Sequence, residues 1–162
     1  MADGMGTFDN EEYSVDVWFN VDSLSGYNVL FSYDFSSHSP PYYAIHLRTE
    51  ANGQILWGYN DISTTSWVGM SSPTGIITAG EWNHVCVTYT GGLQKMWING
   101  ELQNQRYYTG PTTFSNQEVW IGRGNWGSSY TNGKIPLLKY YNRVLTESEV
   151  KQNFNAVSSR FI

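Results

Sequence analysis

GEWNHVCVTYTGGLQKMWING, Gly80 to Gly100, reads as two strands joined at Gly91-Gly92 and closed by an Asn99-Gly100 turn. Val85, Val87 and Tyr89 alternate with His84, Cys86 and Thr88, the period of two that sends successive side chains to opposite faces of a sheet. One face is apolar and the other mixed. Gly91-Gly92 supplies the positive φ angles of a tight hairpin, and Asn-Gly is the strongest short-range signal for a second. About twenty residues thus specify three antiparallel strands, the third starting at Glu101.

The same reading extends in both directions. Upstream, Tyr13 to Val21 alternates Tyr13, Val15, Val17 and Phe19 against Ser14, Asp16, Trp18 and Asn20, a half-buried strand with one large residue, Trp18, on its polar side. That residue must be covered. Asn28 to Phe35 is a second strand, Ser36 to Pro41 a loop because its prolines cannot join a ladder, and Tyr42 to Arg48 and Gln54 to Tyr59 are strands joined at Asn52-Gly53. Asn60 to Ser66 is polar and turn-rich, with a short strand at Trp67 to Met70. Downstream come Glu101 to Tyr108, Gln117 to Gly122, a polar loop over Arg123 to Asn132, and Lys134 to Tyr141. These are about ten strands at even spacing, the pattern of a sandwich or barrel.

One helix is predicted, at the C-terminus. Thr146 and Glu149 form a capping box, Leu145 and Val150 a hydrophobic staple, and Val150, Phe154 and Val157 one short apolar face. The helix is a clasp on the sheets, without chemistry of its own.

Composition agrees with an all-β class. The 162 residues include 16% aromatic and only 14% charged side chains, against roughly 25% charged in an average soluble protein. Residues 13–162 read as one domain, with 1–12 as a flexible lead or partial edge strand. Net charge is −5 and the nine Lys and Arg are scattered, so no basic stripe exists to track a phosphate backbone, and nucleic acid is not an expected partner. No apolar run approaches the ~20 residues that span a bilayer, so membrane insertion is not expected. The one cysteine, Cys86, sits mid-strand and reads as a small buried hydrophobe.

Trp82-Asn83-His84-Val85, Val87-Thr88-Tyr89 and Trp97-Ile98-Asn99-Gly100 resemble the central strands of the laminin-G-like and pentraxin-like domains of the concanavalin A-like lectin/glucanase superfamily. Gly133-Lys134-Ile135 through Leu145, with Glu147 to Ala156, resembles their closing strand and helix. The resemblance spans Tyr13 to Ala156 and implies an antiparallel two-sheet jelly-roll sandwich with one short C-terminal helix. The ending from Tyr141 to Phe161 is also similar to endings in phage and viral structural proteins that carry this domain. Pro136 and Leu137 depart from the family pattern. The proline demands an edge or a bulge, and Leu137 is expected to add apolar surface suited to a neighbouring subunit or domain.

Function follows less directly from such a fold. The glycanases that share it use Glu-x-Asp-x-Glu on one strand, and no glutamate here has an aspartate two positions later. Glu147 and Glu149 belong to the helix start, and no catalytic residue is assigned. His84 reads as a structural histidine, and His38 and His46 lack metal-ligand spacing. Calcium is the ion the resemblance leaves open, through Asp34, Asp61 and Asn125. The candidate ligand site is aromatic. Arg123, Asn125, Trp126 and Tyr130 in one loop, and Tyr59, Asn60, Asp61 and Trp67 in another, supply the rings and polar partners a sugar needs if the loops share a rim. Trp126 and Tyr130 either line a cleft or plug the sandwich end, and Tyr107-Tyr108 reads as strand packing. The expectation is a non-enzymatic module that binds carbohydrate or a glycosylated host receptor, in an extracellular or virion-surface protein. The alternative is an assembly module contacting neighbouring subunits.

Overall fold

A computed structural model describes residues 12–34, 43–61, 66–108, 118–124 and 130–161, without the side chains of 34, 43, 44, 59–61, 66 and 67. The predicted lead at 1–12, apart from Glu12, the loop at 36–41, His38, Asn125 and Trp126 lie outside those residues. The chain forms β1 (Glu12–Val21), β2 (Asn28–Asp34), β3 (Tyr43–Thr49), β4 (Ile55–Asp61), β5 (Ser66–Ser71), β6 (Asn83–Thr90), β7 (Leu93–Ile98), β8 (Glu101–Tyr107), β9 (Glu118–Ile121), β10 (Gly133–Tyr141) and α1 (Glu147–Ser158). Two antiparallel five-stranded sheets result, sheet A in the order β10-β1-β6-β7-β8 and sheet B in the order β5-β4-β3-β2-β9.

The Gly80–Gly100 stretch lies in the middle of sheet A. Both of its turns use paired positive φ angles, 49° and 93° at Gly91 and Gly92 and 51° and 82° at Asn99 and Gly100, the geometry that matches the twist of flanking strands. Asn99 is the one non-glycine among the described residues with positive φ. Its side-chain oxygen accepts from the His84 amide at 2.8 Å, and its amide group reaches Asn83 Oδ1 at 3.3 Å.

The alternation works as read. Val15, Val17 and Phe19 of β1, Val85 and Val87 of β6, and Met96 and Ile98 of β7 meet Phe31, Ile45, Leu47, Ile55 and Trp57 of sheet B in one core. The polar side of β1 faces outward and is covered by α1. Trp18 is fully buried, stacked on Phe154 and in contact with Phe161. Beneath the helix, Cys86, Trp97, Leu145 and Val150 form a second small cluster. The capping box is present, with the Glu149 amide donating to Thr146 Oγ1 and the Thr146 amide donating to the Glu149 carboxylate. Ser14 ties the entry to the helix, donating to the Arg143 carbonyl and accepting from the Leu145 amide.

Pro136 lies on an edge strand and also at a bulge. Trp18 pairs with Leu137 and Asn20 with Lys134, so Ile135 and Pro136 share the place opposite Phe19. A proline and a bulge both blunt an open edge. Leu137 departs from expectation. It is half-buried and lies opposite Trp18, on the face that carries α1, so it does not extend an exposed apolar strand. At the far edge, β8 is tied to β5. Asn104 donates to the Ser71 carbonyl at 2.7 Å, and Arg106 donates to the Gly69 carbonyl. Tyr107 and Tyr108 divide: Tyr107 is exposed, whereas Tyr108 packs against the main core.

Candidate functional site

The outer face of sheet B carries a transverse row set by strand register. Trp120 of β9 pairs with Ser32 of β2, Ser32 with His46 of β3, His46 with Gly58 of β4, and Gly58 with Gly69 of β5. Their sequence neighbours Val119, Tyr33, Ile45, Leu47, Trp57, Val68 and Met70 belong to the inner core, which fixes the row as outward-facing. Glycine at two successive strands leaves the β4–β5 half without side chains, while Trp120 stands at the other end. Ser32, His46 and Gly58 are nonetheless buried, so the row is covered and only its Trp120 and Gly69 ends are part-exposed.

Arg123 completes that aromatic end. Gly122, with φ 70°, turns the chain out of β9, and its amide donates to the Leu30 carbonyl. Ser32 Oγ then donates to the Arg123 carbonyl at 3.1 Å. The guanidinium carbon is placed 4.0 Å from the Trp120 ring centroid and 5.4 Å from that of Tyr130. A bridge pairs Arg123 with Tyr130, which is 55% exposed. The Arg123 Nε and the Trp120 Nε1 are both buried without a hydrogen-bond partner. Exposed ring surface, a stacked cation and unused donors are thus gathered within one short segment.

The sequence-predicted residues divide across this face. Arg123 and Tyr130 are brought together, and Asn125 and Trp126 lie outside the described residues. Tyr59 lies in strand β4 as expected, Asn60 and Asp61 extend that strand where a polar, turn-rich segment was expected, and Trp67 lies in β5 opposite Asn60. Asn60 and Trp67 are two residues beyond the Gly58–Gly69 pair, away from Arg123. β4 and β9 are separated by β3 and β2, roughly 14 Å at ordinary strand spacing. The two groups therefore do not share a rim. Sequence reasoning missed Trp120, which reads as strand filler in QEVWIG, and the row itself, whose members come from five strands.

Of the calcium set, Asp34 and Asp61 close strands β2 and β4 at one end of sheet B, and Asn125 lies outside the described residues. Among the described residues no group of three or more His, Cys, Asp or Glu is placed to hold a metal ion.

The remaining titratable groups are structural. His84 Nε2 lies 3.1 Å from Asp16 Oδ2 with both side chains buried. Asn153 of α1 donates to the same carboxylate oxygen and to Tyr141 Oη, each at 3.0 Å. Cys86, paired across from Asp16, has its thiol pushed well up by burial and, secondarily, by that carboxylate. Glu147 pairs with Lys151, and Glu149 with Arg143 and the helix cap. A groove of about 190 Å³ lies under the start of α1, lined by Leu93, Lys95, Trp97, Leu102, Val144 and Glu147 among others.

A laminin G-type family model, described as the Concanavalin A-like lectin/glucanases superfamily, matches residues 2–151. The chain belongs to this superfamily. Its laminin G-type sandwich is similar to the CBM40 module of the Ruminococcus gnavus IT-sialidase, with TM-score 0.75 and 16% identity over 90% of this chain and 83% of that one. A structure of that module bound to α2,3-sialyllactose gives TM-score 0.74 at 15% identity, over 88% of this chain and 82% of that one. It is also similar to the receptor binding domain of botulinum neurotoxin type G, with TM-score 0.70 and 16% identity over 90% of this chain. The laminin G-type chain corresponds to only 38% of that receptor binding domain. No curated protein matches the sequence.

Proposed function

We propose that this laminin G-type domain is a non-enzymatic glycan-binding module acting outside the cell, as part of a larger surface or virion protein. Its site is the outer face of sheet B beside β9. The observation that carries the reading is the Arg123 guanidinium over Trp120, with the exposed Tyr130 ring next to it, at the end of the Ser32–His46–Gly58–Gly69 row. Sugars present apolar C–H faces beside hydroxyls, so aromatic surface and hydrogen-bond donors at one place suit them. The fold's similarity to a carbohydrate-binding module seen with sialyllactose supports this reading.

The carboxylate pair spaced most like a catalytic set and the buried Asp–His pair are both structural. Glu147 and Glu149 are engaged at the helix start, and Asp16 and His84 are sealed under α1. Neither pair is placed to meet a substrate. For the assembly alternative, β10 is an edge strand interrupted by Pro136, and Leu137 lies opposite Trp18 on the face that carries α1. No helix among the described residues is long and apolar enough to cross a membrane.

A glycan array with the wild type, Tyr130→Ala and Trp126→Ala tests the reading. Binding that weakens roughly tenfold or more in Tyr130→Ala, the scale of a lost aromatic contact, supports it. A blank wild-type array ends the proposal, and equal binding by all three proteins removes the β9 site.

A further inference from the structure

The arginines of this chain are disposed in different ways. Arg48 pairs with Glu50, Arg143 with Glu149, and Arg106 donates to the Gly69 carbonyl. Arg160 is exposed. Arg123 is half-buried, yet it forms no ion pair or side-chain hydrogen bond with any described residue. Its contacts are the π faces of Trp120 and Tyr130. A cation–π contact holds the charge in place but uses none of the guanidinium N–H donors. The Nε–H is shut away without an acceptor, and so is the neighbouring Trp120 Nε1–H. The protein has partly desolvated a permanent cation without supplying an anion.

We infer that Arg123 is the anion-reading element of the glycan site, selecting saccharides that carry a carboxylate or a sulfate ester. This inference rests on the glycan-binding reading above. A planar guanidinium fixed by stacking presents a donor fork that matches two oxygens of one anionic group, and prior partial desolvation strengthens that attraction over a fully hydrated lysine. The acidic group sits on Arg123 while a sugar ring lies against the exposed face of Tyr130. Among the described residues no carboxylate forms an ion pair with Arg123. The overall charge of −5 would repel anions at long range, so recognition depends on this local contact and not on steering.

The experiment is a titration of the intact chain with lactose, 3′-sialyllactose and 3′-sulfated lactose, using the wild type, Arg123→Gln and Arg123→Lys. The acidic trisaccharide or the sulfated disaccharide binds the wild type at least about tenfold more tightly than lactose, as expected for one charge-assisted pair. Arg123→Gln weakens acidic binding at least about tenfold more than it weakens lactose binding, which removes the acidic-over-neutral preference. Arg123→Lys retains part of the preference, since it keeps charge without the fork. Comparing the carboxylate and sulfate arms identifies the anion. Equal wild-type affinity for lactose and both acidic ligands overturns the inference and leaves the glycan-binding reading standing. A proportional loss of lactose and acidic binding in a folded Arg123→Gln also overturns it, because the side chain would then only position Trp120. An absence of acidic binding overturns it outright, whereas a blank array with every glycan class sinks the broader reading.

Discussion

Phe154 of α1 lies flat on Trp18 of β1, with ring centroids 5.5 Å apart and planes 5° from parallel. The contact joins the last element of the chain to the first described strand. Phe161 adds a second ring to Trp18 and a third contact to Trp82, so the C-terminal segment closes over the outer face of sheet A. Phe154→Ala would strip the cover from a buried indole. Because Phe154 is only half-buried, the expected loss is about 1–3 kcal/mol. Chemical denaturation followed by tryptophan emission should show a lower midpoint with a red-shifted native spectrum. An unchanged midpoint would mean that the helix does not clasp the sheet.

The need for this cover was visible in the sequence, but its source was not. Trp18 stands out because it occupies an outward position in a strand whose alternation is otherwise regular. Alternation, glycine pairs and the Thr146–Glu149 box are local signals, so strands and helix could be placed close to their observed bounds. The site was less legible because it depends on register and strand order. Arg123 and Tyr130 share a loop and could be paired by inspection. Trp120 carries no signal of its own, since nothing in four residues of β9 reveals which face is outside. Gly58 and Gly69 come side by side only when β4 and β5 are aligned beside His46. The distance between Asn60 and Arg123 likewise follows from sheet order, which no local pattern encodes.

Asn99 holds the β7–β8 turn in two ways that substitution can separate. Its φ of 51° is strained for most side chains, and its carboxamide binds the His84 amide and Asn83. Asn99→Gly keeps the backbone accessible and removes the side chain, costing about 1 kcal/mol. Asn99→Ala removes both and should cost about 2–3 kcal/mol. Urea midpoints at fixed m-value give the comparison. Equal losses would show that positive φ contributes nothing there.

Acid should act on the helix start over a defined window. Hydrogen bonding from Arg143, then from the Thr146 amide, holds the Glu149 carboxyl down at about 2, from an ordinary value of 4.5. A depressed folded-state value means that the unfolded chain takes up the proton first. The stabilisation is therefore complete above pH 4.5 and lost as pH falls towards 2. Wild type should be more stable than Glu149→Gln at neutral pH, with the gap closing across that interval and absent below it. Thermal melts of both proteins at a series of pH values test this, and a gap that stays constant through the interval would refute it.

Cys86 reports on the same region from beneath the helix. The thiol is fully buried against Trp97, Leu145 and Val150, and burial, with a smaller contribution from Asp16, pushes its pKa well up. The thiolate is the reactive form, so both access and ionisation suppress reaction in the folded chain. A thiol reagent at pH 8 should leave the native protein unlabelled and modify it fully in urea, at a rate set by opening of the α1 clasp. Phe154→Ala should speed native-state labelling if the clasp opens as a unit, while a core substitution such as Val87→Ala should speed it only through global unfolding. Fast labelling of the wild type without denaturant would instead place Cys86 at an accessible surface. That result would contradict the covered outer face on which the first of these experiments also depends.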